Sequence, residues 1–154
     1  MSQGNKQQWI LAKRPQDVPD PSEVVFQEVA IPDTAAGMVL VKNHYISLDP
    51  AIRLWMSDIP NYLPPIPIGD PIRATVVGEV IESGSDELAA GDLVFGLGGW
   101  ETHSTAPAEF WTKIASDSEF PLHYYVNMLG AVGLTPYFAI VDVGQAKAGQ
   151  TMLM

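Results

Sequence analysis

A mainly β domain, curled into a partly open barrel with short helices and closing on a helix and part of a further strand, is the fold the sequence predicts. Three observations predict it. Short apolar runs recur between turns, and 13 prolines and 13 glycines punctuate the 154 residues. Helical spacing takes over the chain only from residue 121 onward. Six or seven short strands with few helices are the pattern of a barrel-like all-β unit.

Residues 7–13 (QQWILAK) form a short apolar run behind a polar tail and predict the first strand. Three prolines and two aspartates in residues 14–22 predict a surface loop. Residues 23–30 (EVVFQEVA) and 38–47 (MVLVKNHYIS) are rich in Val and aromatic side chains and predict strands two and three. At Asp49-Pro50 the period changes. Pro50 suits a first helical position and Asp49 a cap, so a turn or two of helix is expected over residues 50–56. Residues 57–70 hold four prolines among Ile59, Tyr62, Ile66 and Ile68, a loop that only packing of its side chains can order. Residues 73–83 (RATVVGEVIES) are the clearest strand, and residues 91–96, 102–105 and 109–114 predict three more.

From Pro121 the pattern is helical, and the last stretch, residues 127–154, reads as an apolar helix, a polar turn and an unfinished strand. Thr135 is expected to cap that helix with Pro136 as its first residue. Residues 150–154 (QTMLM) look like the start of a buried parallel strand, the kind that opens nucleotide-binding α/β domains. The chain is therefore expected to be the front part of a longer protein, with a barrel domain over residues 1–125 and a connecting helix and truncated second domain over 126–154.

Composition excludes several classes of function. Eight basic against 18 acidic side chains give a net charge of −10, which argues against nucleic acid or an anionic membrane as partner. No apolar run is long enough to span a bilayer, and the first residues lack the apolar core of a signal peptide, so a cytoplasmic location is expected. There is no cysteine, which removes disulfides, thiolate zinc sites and cysteine nucleophiles. His44, His103 and His123 are far apart and show no ligand spacing, so no metal is expected. No Gly-x-Ser-x-Gly elbow supports a serine hydrolase.

Several segments, in order along nearly the whole chain, resemble one family. They are Ser47-Leu48-Asp49-Pro50 with Arg53 and Met56, Gly78-Glu79-Val80 with Glu82-Ser83, and Gly91-Asp92-Leu93-Val94 with Trp100. Leu129-Gly130, Gly133-Leu134-Thr135, Tyr137-Phe138, Val143-Gly144 and Lys147-Ala148-Gly149 complete the set. The chain resembles the medium-chain dehydrogenase/reductases, and within them the zinc-independent branch of NADP-dependent alkenal/one reductases that includes the prostaglandin reductases. The resemblance implies a GroES-like barrel followed by a Rossmann domain beginning near Thr151, and hydride delivery from NADPH to an α,β-unsaturated ketone or aldehyde. It implies no metal, and a possible homodimer in the full-length form. It also implies that the glycine-rich fingerprint and the residue acting near the substrate carbonyl lie after Met154. Ala51 departs from the pattern, since many members carry tyrosine after Asp-Pro.

The candidate site residues follow. Trp55, Tyr62 and Trp100 are aromatic candidates for an apolar substrate wall, each with core packing as the competing reading, and Tyr62 stands out for lying in the proline-rich loop. The resemblance adds Leu97 and Gly98 as substrate contacts, and glycine at 98 would let a ligand come close to the backbone. It places the Pro50 loop under the nicotinamide ring, with Met128 and Thr135 near that ring. Helix capping competes for Thr135, and a structural ion pair is the expectation for Arg53. Gly130 and Gly133 are expected to allow close packing against a second domain or a cofactor. Two other readings stay open: a non-catalytic barrel that binds an apolar ligand or a protein, and an NADPH quinone reductase.

Overall fold

In a computed structural model of the chain, residues 4–153 are described. Their architecture is mainly β, as expected. Seven strands, β1 (Asn5–Leu11), β2 (Val24–Ala30), β3 (Met38–Ile46), β4 (Arg73–Ser83), β5 (Leu93–Gly99), β6 (His103–Pro107) and β7 (Trp111–Lys113), are joined by a short helix α1 (Pro50–Trp55) between β3 and β4. A second helix, α2 (Ala131–Phe138), runs into a π-helical turn (Ala139–Val143).

The strands make two antiparallel sheets, a β1-β2 hairpin and a five-stranded sheet in the order β6-β3-β4-β5-β7. Curling joins them. Trp9 N donates to Trp100 O (2.8 Å), Ile72 N to Trp9 O (2.9 Å) and Leu11 N to Asp70 O (3.0 Å), so β1 lies along the segments that flank β4 and follow β5. The fit of β1 there comes from its alternation over residues 5–9, where Lys6 and Gln8 are buried while Asn5, Gln7 and Trp9 are exposed. The long central strand β4 pairs with β3 across two irregularities in register, between Leu40 and Val41 and between Asn43 and Tyr45, which bend the sheet.

Two apolar clusters hold the curl. Val39, Val41, Val76, Val80, Val94 and Trp111 fill one, between the strands of the large sheet. Leu11, Ile52, Trp55, Met56, Ile66, Ile72 and Ala74 fill the other, under α1 and the proline-rich loop. That loop is ordered by such packing: Ile66 is buried and its N–H donates to Trp55 O at 2.8 Å.

The C-terminal stretch differs from expectation in detail. Residues 122–126 form a 3-10 turn, and α2 begins at Ala131, so Thr135 sits inside the helix with Pro136 after it and is not its cap. The Thr135 hydroxyl instead donates back to Ala131 O at 2.7 Å, the usual use of a mid-helix threonine. Asp49 does occupy the cap position of α1, but through its backbone alone: its carbonyl accepts from Ile52 N, and its side chain makes no cap bond. Residues 151–153 are exposed and form no strand. A parallel strand exists only through its neighbours' hydrogen bonds, and none of the described residues supplies them. Residue 154 lies outside the described residues.

Candidate functional site

Two clefts open on either side of the segment that leaves β5. The larger, about 920 Å³, lies between the β1-β2 hairpin and the end of β3 and is walled mainly by Trp9, Phe26, Ile46, Leu48, Met56 and Trp100. Trp9 and Phe26 meet edge to face at 5.2 Å, a stable geometry for two exposed rings on neighbouring strands. The smaller cleft, about 480 Å³, is lined by Leu97, Gly98 and Gly99 of β5, by Pro67, Asp70 and Arg73, and by Lys6, Glu101 and Ser104.

A polar cluster separates the two. Glu101 lines both clefts, is buried, and forms an ion pair with the buried Lys6. Asn43 Nδ2 donates to Glu101 O (2.7 Å) and to Ser104 Oγ (2.9 Å), and Gly99 N donates to the same hydroxyl at 3.3 Å. His103, beside this cluster, has its pKa lowered, first by burial and then by the charges of Lys42 and Lys6, with Glu101 opposing. Ring protonation is therefore disfavoured there.

The predicted residues fall into four places. Trp55 is a core side chain at 7% exposure, in edge-to-face contact with Tyr62 at 6.2 Å, while Tyr62 itself is 71% exposed. Trp55 is thus packed in the core and Tyr62 is open to solvent, and neither lines the two clefts. Leu97 and Gly98 lie together in the smaller cleft. Trp100 lines the larger one and donates through Nε1 to Ser47 O at 3.2 Å, which fixes the ring against the end of β3. Pro50, Met128 and Thr135 are exposed, the first at the start of α1 and the others in the C-terminal stretch, and they line neither cleft.

Geometry bears on three further residues. At Gly98 a β-carbon would lie 2.6 Å from Ser104 Oγ and 2.9 Å from Val76 Cγ2, so the close approach that glycine permits is that of the protein's own side chains. At Gly133 a β-carbon would run into the carbonyl of Met128, so glycine is needed there within the chain itself. Among the described residues Arg53 has no ion-pair partner: it donates to Asp17 O (2.9 Å), Pro15 O (3.0 Å) and Ser57 Oγ (2.7 Å), and so ties the first loop to α1.

The residue that sequence reasoning missed is Arg73. It opens β4, lies opposite Gly99 in the register, and sits with its guanidinium carbon 6.0 Å from the centre of the Trp55 ring. It thereby links the Trp55–Tyr62 pair to the Leu97–Gly98 cleft. No sequence signal marks it, because the residues it meets, Trp55, Pro64 and Gly99, are all distant along the chain.

The described residues thus form a twisted β unit with a proline-rich loop and an aromatic wall beside its clefts. Comparison with known proteins places that unit in a family. The family model described as the N-terminal domain of oxidoreductase matches residues 7–114, and the chain belongs to that family. It is 34% identical to the NADPH-dependent curcumin reductase of Escherichia coli over 95% of its own length and 42% of the relative's. It is equally 34% identical to the 2-alkenal reductase (NADP(+)-dependent) of Nicotiana tabacum, over 97% of this chain and 45% of that one. The crystal structure of CurA from Vibrio vulnificus superposes with a TM-score of 0.83 at 29% identity, covering 94% of this chain and 42% of that one. The same protein has been solved in complex with NADPH. The chain spans less than half the length of the curated relatives it matches. Among the described residues no helix is long and apolar enough to cross a membrane, and no group of histidine and acidic side chains could hold a metal ion.

Proposed function

We propose that the chain is the N-terminal, substrate-side part of a zinc-independent, NADP-dependent cytoplasmic oxidoreductase that reduces the C=C bond of α,β-unsaturated ketones and aldehydes. In this reading residues 1–125 are a GroES-like barrel domain, and residues 126–154 are the connecting helix and the opening of a dinucleotide-binding domain. The observation that carries it is identity of 34% across 95% of the chain to an NADPH-dependent reductase, joined to 34% across 97% with one that acts on alkenals.

The residues present fit the edge of a nicotinamide site rather than the whole of one. Thr135 spends its hydroxyl proton on Ala131 O, which leaves lone pairs to accept from a carboxamide, and Met128 and Pro50 offer exposed apolar surface. A bound nicotinamide would supply the hydride. The chain's own residues would orient the substrate: Tyr62 and Trp100 as aromatic walls, Trp55 as the support beneath Tyr62, and Leu97 with the backbone at Gly98 as the floor of the smaller cleft. Holding a reactant in an attack-ready pose lowers the barrier by removing translational freedom before the chemistry starts.

The test uses the protein made from the full reading frame that carries this chain. NADPH absorbance is followed with benzylideneacetone and with p-benzoquinone, and the product is identified by NMR. Formation of the saturated ketone is the expected result. Loss of NADPH with the quinone alone would move the protein to the quinone reductases, and no loss with either would leave a ligand-binding module.

A further inference from the structure

Residues 12–23 join β1 to β2 in a loop much longer than a tight hairpin turn. Its ends are closed on each other, Ala12 N and Lys13 N both donating to Glu23 O, at 2.7 and 3.3 Å. Residues 20–23 are braced among themselves, by Ser22 N to Asp20 Oδ1 (2.8 Å) and Asp20 N to Glu23 Oε2 (2.7 Å). Burial does little for the remainder: Pro15 is buried, and residues 16–22 are all exposed. Two arginines hold the loop to α1. Arg53 donates through Nε to Asp17 O (2.9 Å) and through Nη2 to Pro15 O (3.0 Å), and Arg14 donates through Nη1 to Met56 O (3.0 Å).

The loop is also a wall. Pro19, Asp20 and Pro21 line the larger cleft, in company with Met56 and Trp100. Arg53 itself lines neither cleft, yet it fastens that wall to the helix. Its planar fork is what the task requires, since Nε and Nη2 point in fixed directions and reach two carbonyls at once, a geometry that a single ammonium cannot hold. We propose that Arg53 is a positioning residue that sets the width of the larger cleft. By holding residues 15–17 on α1 it keeps Pro19, Asp20 and Pro21 against the body of a bulky enone, and it leaves a small enone unaffected. The reaction rests on the reductase reading above; the role of Arg53 rests on the hydrogen bonds of the loop.

The test uses the full-length protein with benzylideneacetone, which carries a phenyl ring, and but-3-en-2-one, which does not. Arg53→Ala should raise KM for benzylideneacetone roughly tenfold with kcat within about twofold, the signature of lost uniform binding, and should leave KM for but-3-en-2-one unchanged. Arg53→Lys, which can keep one of the two bonds, should recover part of the loss. A merely structural defect would lower activity with both substrates alike. On the unaltered protein, benzylideneacetone should slow hydrogen exchange at residues 16–18 and but-3-en-2-one should not, a measurement that stands even if the variants fail to fold. An unchanged KM for benzylideneacetone, an equal rise for the two enones, a fall in kcat alone, or no slowing of exchange in the loop would each overturn the role of Arg53 while leaving the reductase reading intact. An unaltered protein that reduces neither enone would overturn the two together.

Discussion

Lys6 and Glu101 meet across 95 positions of sequence, and each is buried. The pair ties the first strand to the segment after β5, where the two sheets join, so its loss is felt by the whole curl. Removing one partner leaves an uncompensated charge in a site from which water is largely excluded. Glu101→Leu should therefore lower stability by about 3–5 kcal/mol, whereas the double change Lys6→Met with Glu101→Leu should recover most of that. Urea unfolding of the two variants checks it, and equal losses in both would show that the cost is one of packing and not of charge. Nothing in the sequence announced this pair. Lys6 sits in a polar tail and Glu101 after a glycine run, and only the strand register brings them together. Arg73 escaped for the same reason: its value depends on Trp55, Pro64 and Gly99, none of them a sequence neighbour. Leu97 and Gly98 entered through the resemblance alone, and the structure puts both on the lining of the smaller cleft.

Among the elements, the strands were legible and the closing helix was not. β4 runs over Arg73–Ser83 as expected, since a run rich in Val and Ile suits a buried central strand. Helix α2 obeyed longer-range constraints than its cap signals. Its start is set at Gly130, whose carbonyl accepts from Leu134 N at 3.0 Å, and Pro136 is carried in its interior at the loss of one hydrogen bond. The π turn that follows, with Gly144 N bonded to Ala139 O at 2.8 Å, absorbs the disturbance. No residue of α2 or of that turn is buried, so almost no packing energy opposes their opening. Hydrogen exchange should follow this contrast. Amides of residues 134–143 are expected to exchange from locally open states, while those of Val76, Val77 and Val80 wait for global unfolding. Matching protection in the two regions would mean that the helix is held by a surface the chain does not itself provide.

At the scale of the whole molecule, the imbalance between the two ends decides behaviour. The β part buries two apolar clusters, whereas α2 and its π turn bury nothing, and Phe120, Met128, Val132, Leu134, Tyr137, Phe138 and Val141 are all exposed. Residues 120–141 contain no aspartate, glutamate, lysine or arginine, in a chain whose net charge is −10. A helix that is apolar on every side is stable only when covered, and a contiguous apolar patch of that kind draws a partner surface to it. On the reductase reading the cover is the nucleotide-binding domain, and the same surface would flank the cofactor. Residues 1–154 produced alone should then self-associate at micromolar concentration and fail to oxidise NADPH with any enone. Deleting residues 127–154 should return a monomer, because the repulsive charge lies on the part that remains. Light scattering on the two forms, read beside an NADPH titration, checks both halves of the argument. A monomeric chain that binds NADPH at micromolar concentration would show instead that the helical end already carries a cofactor site of its own.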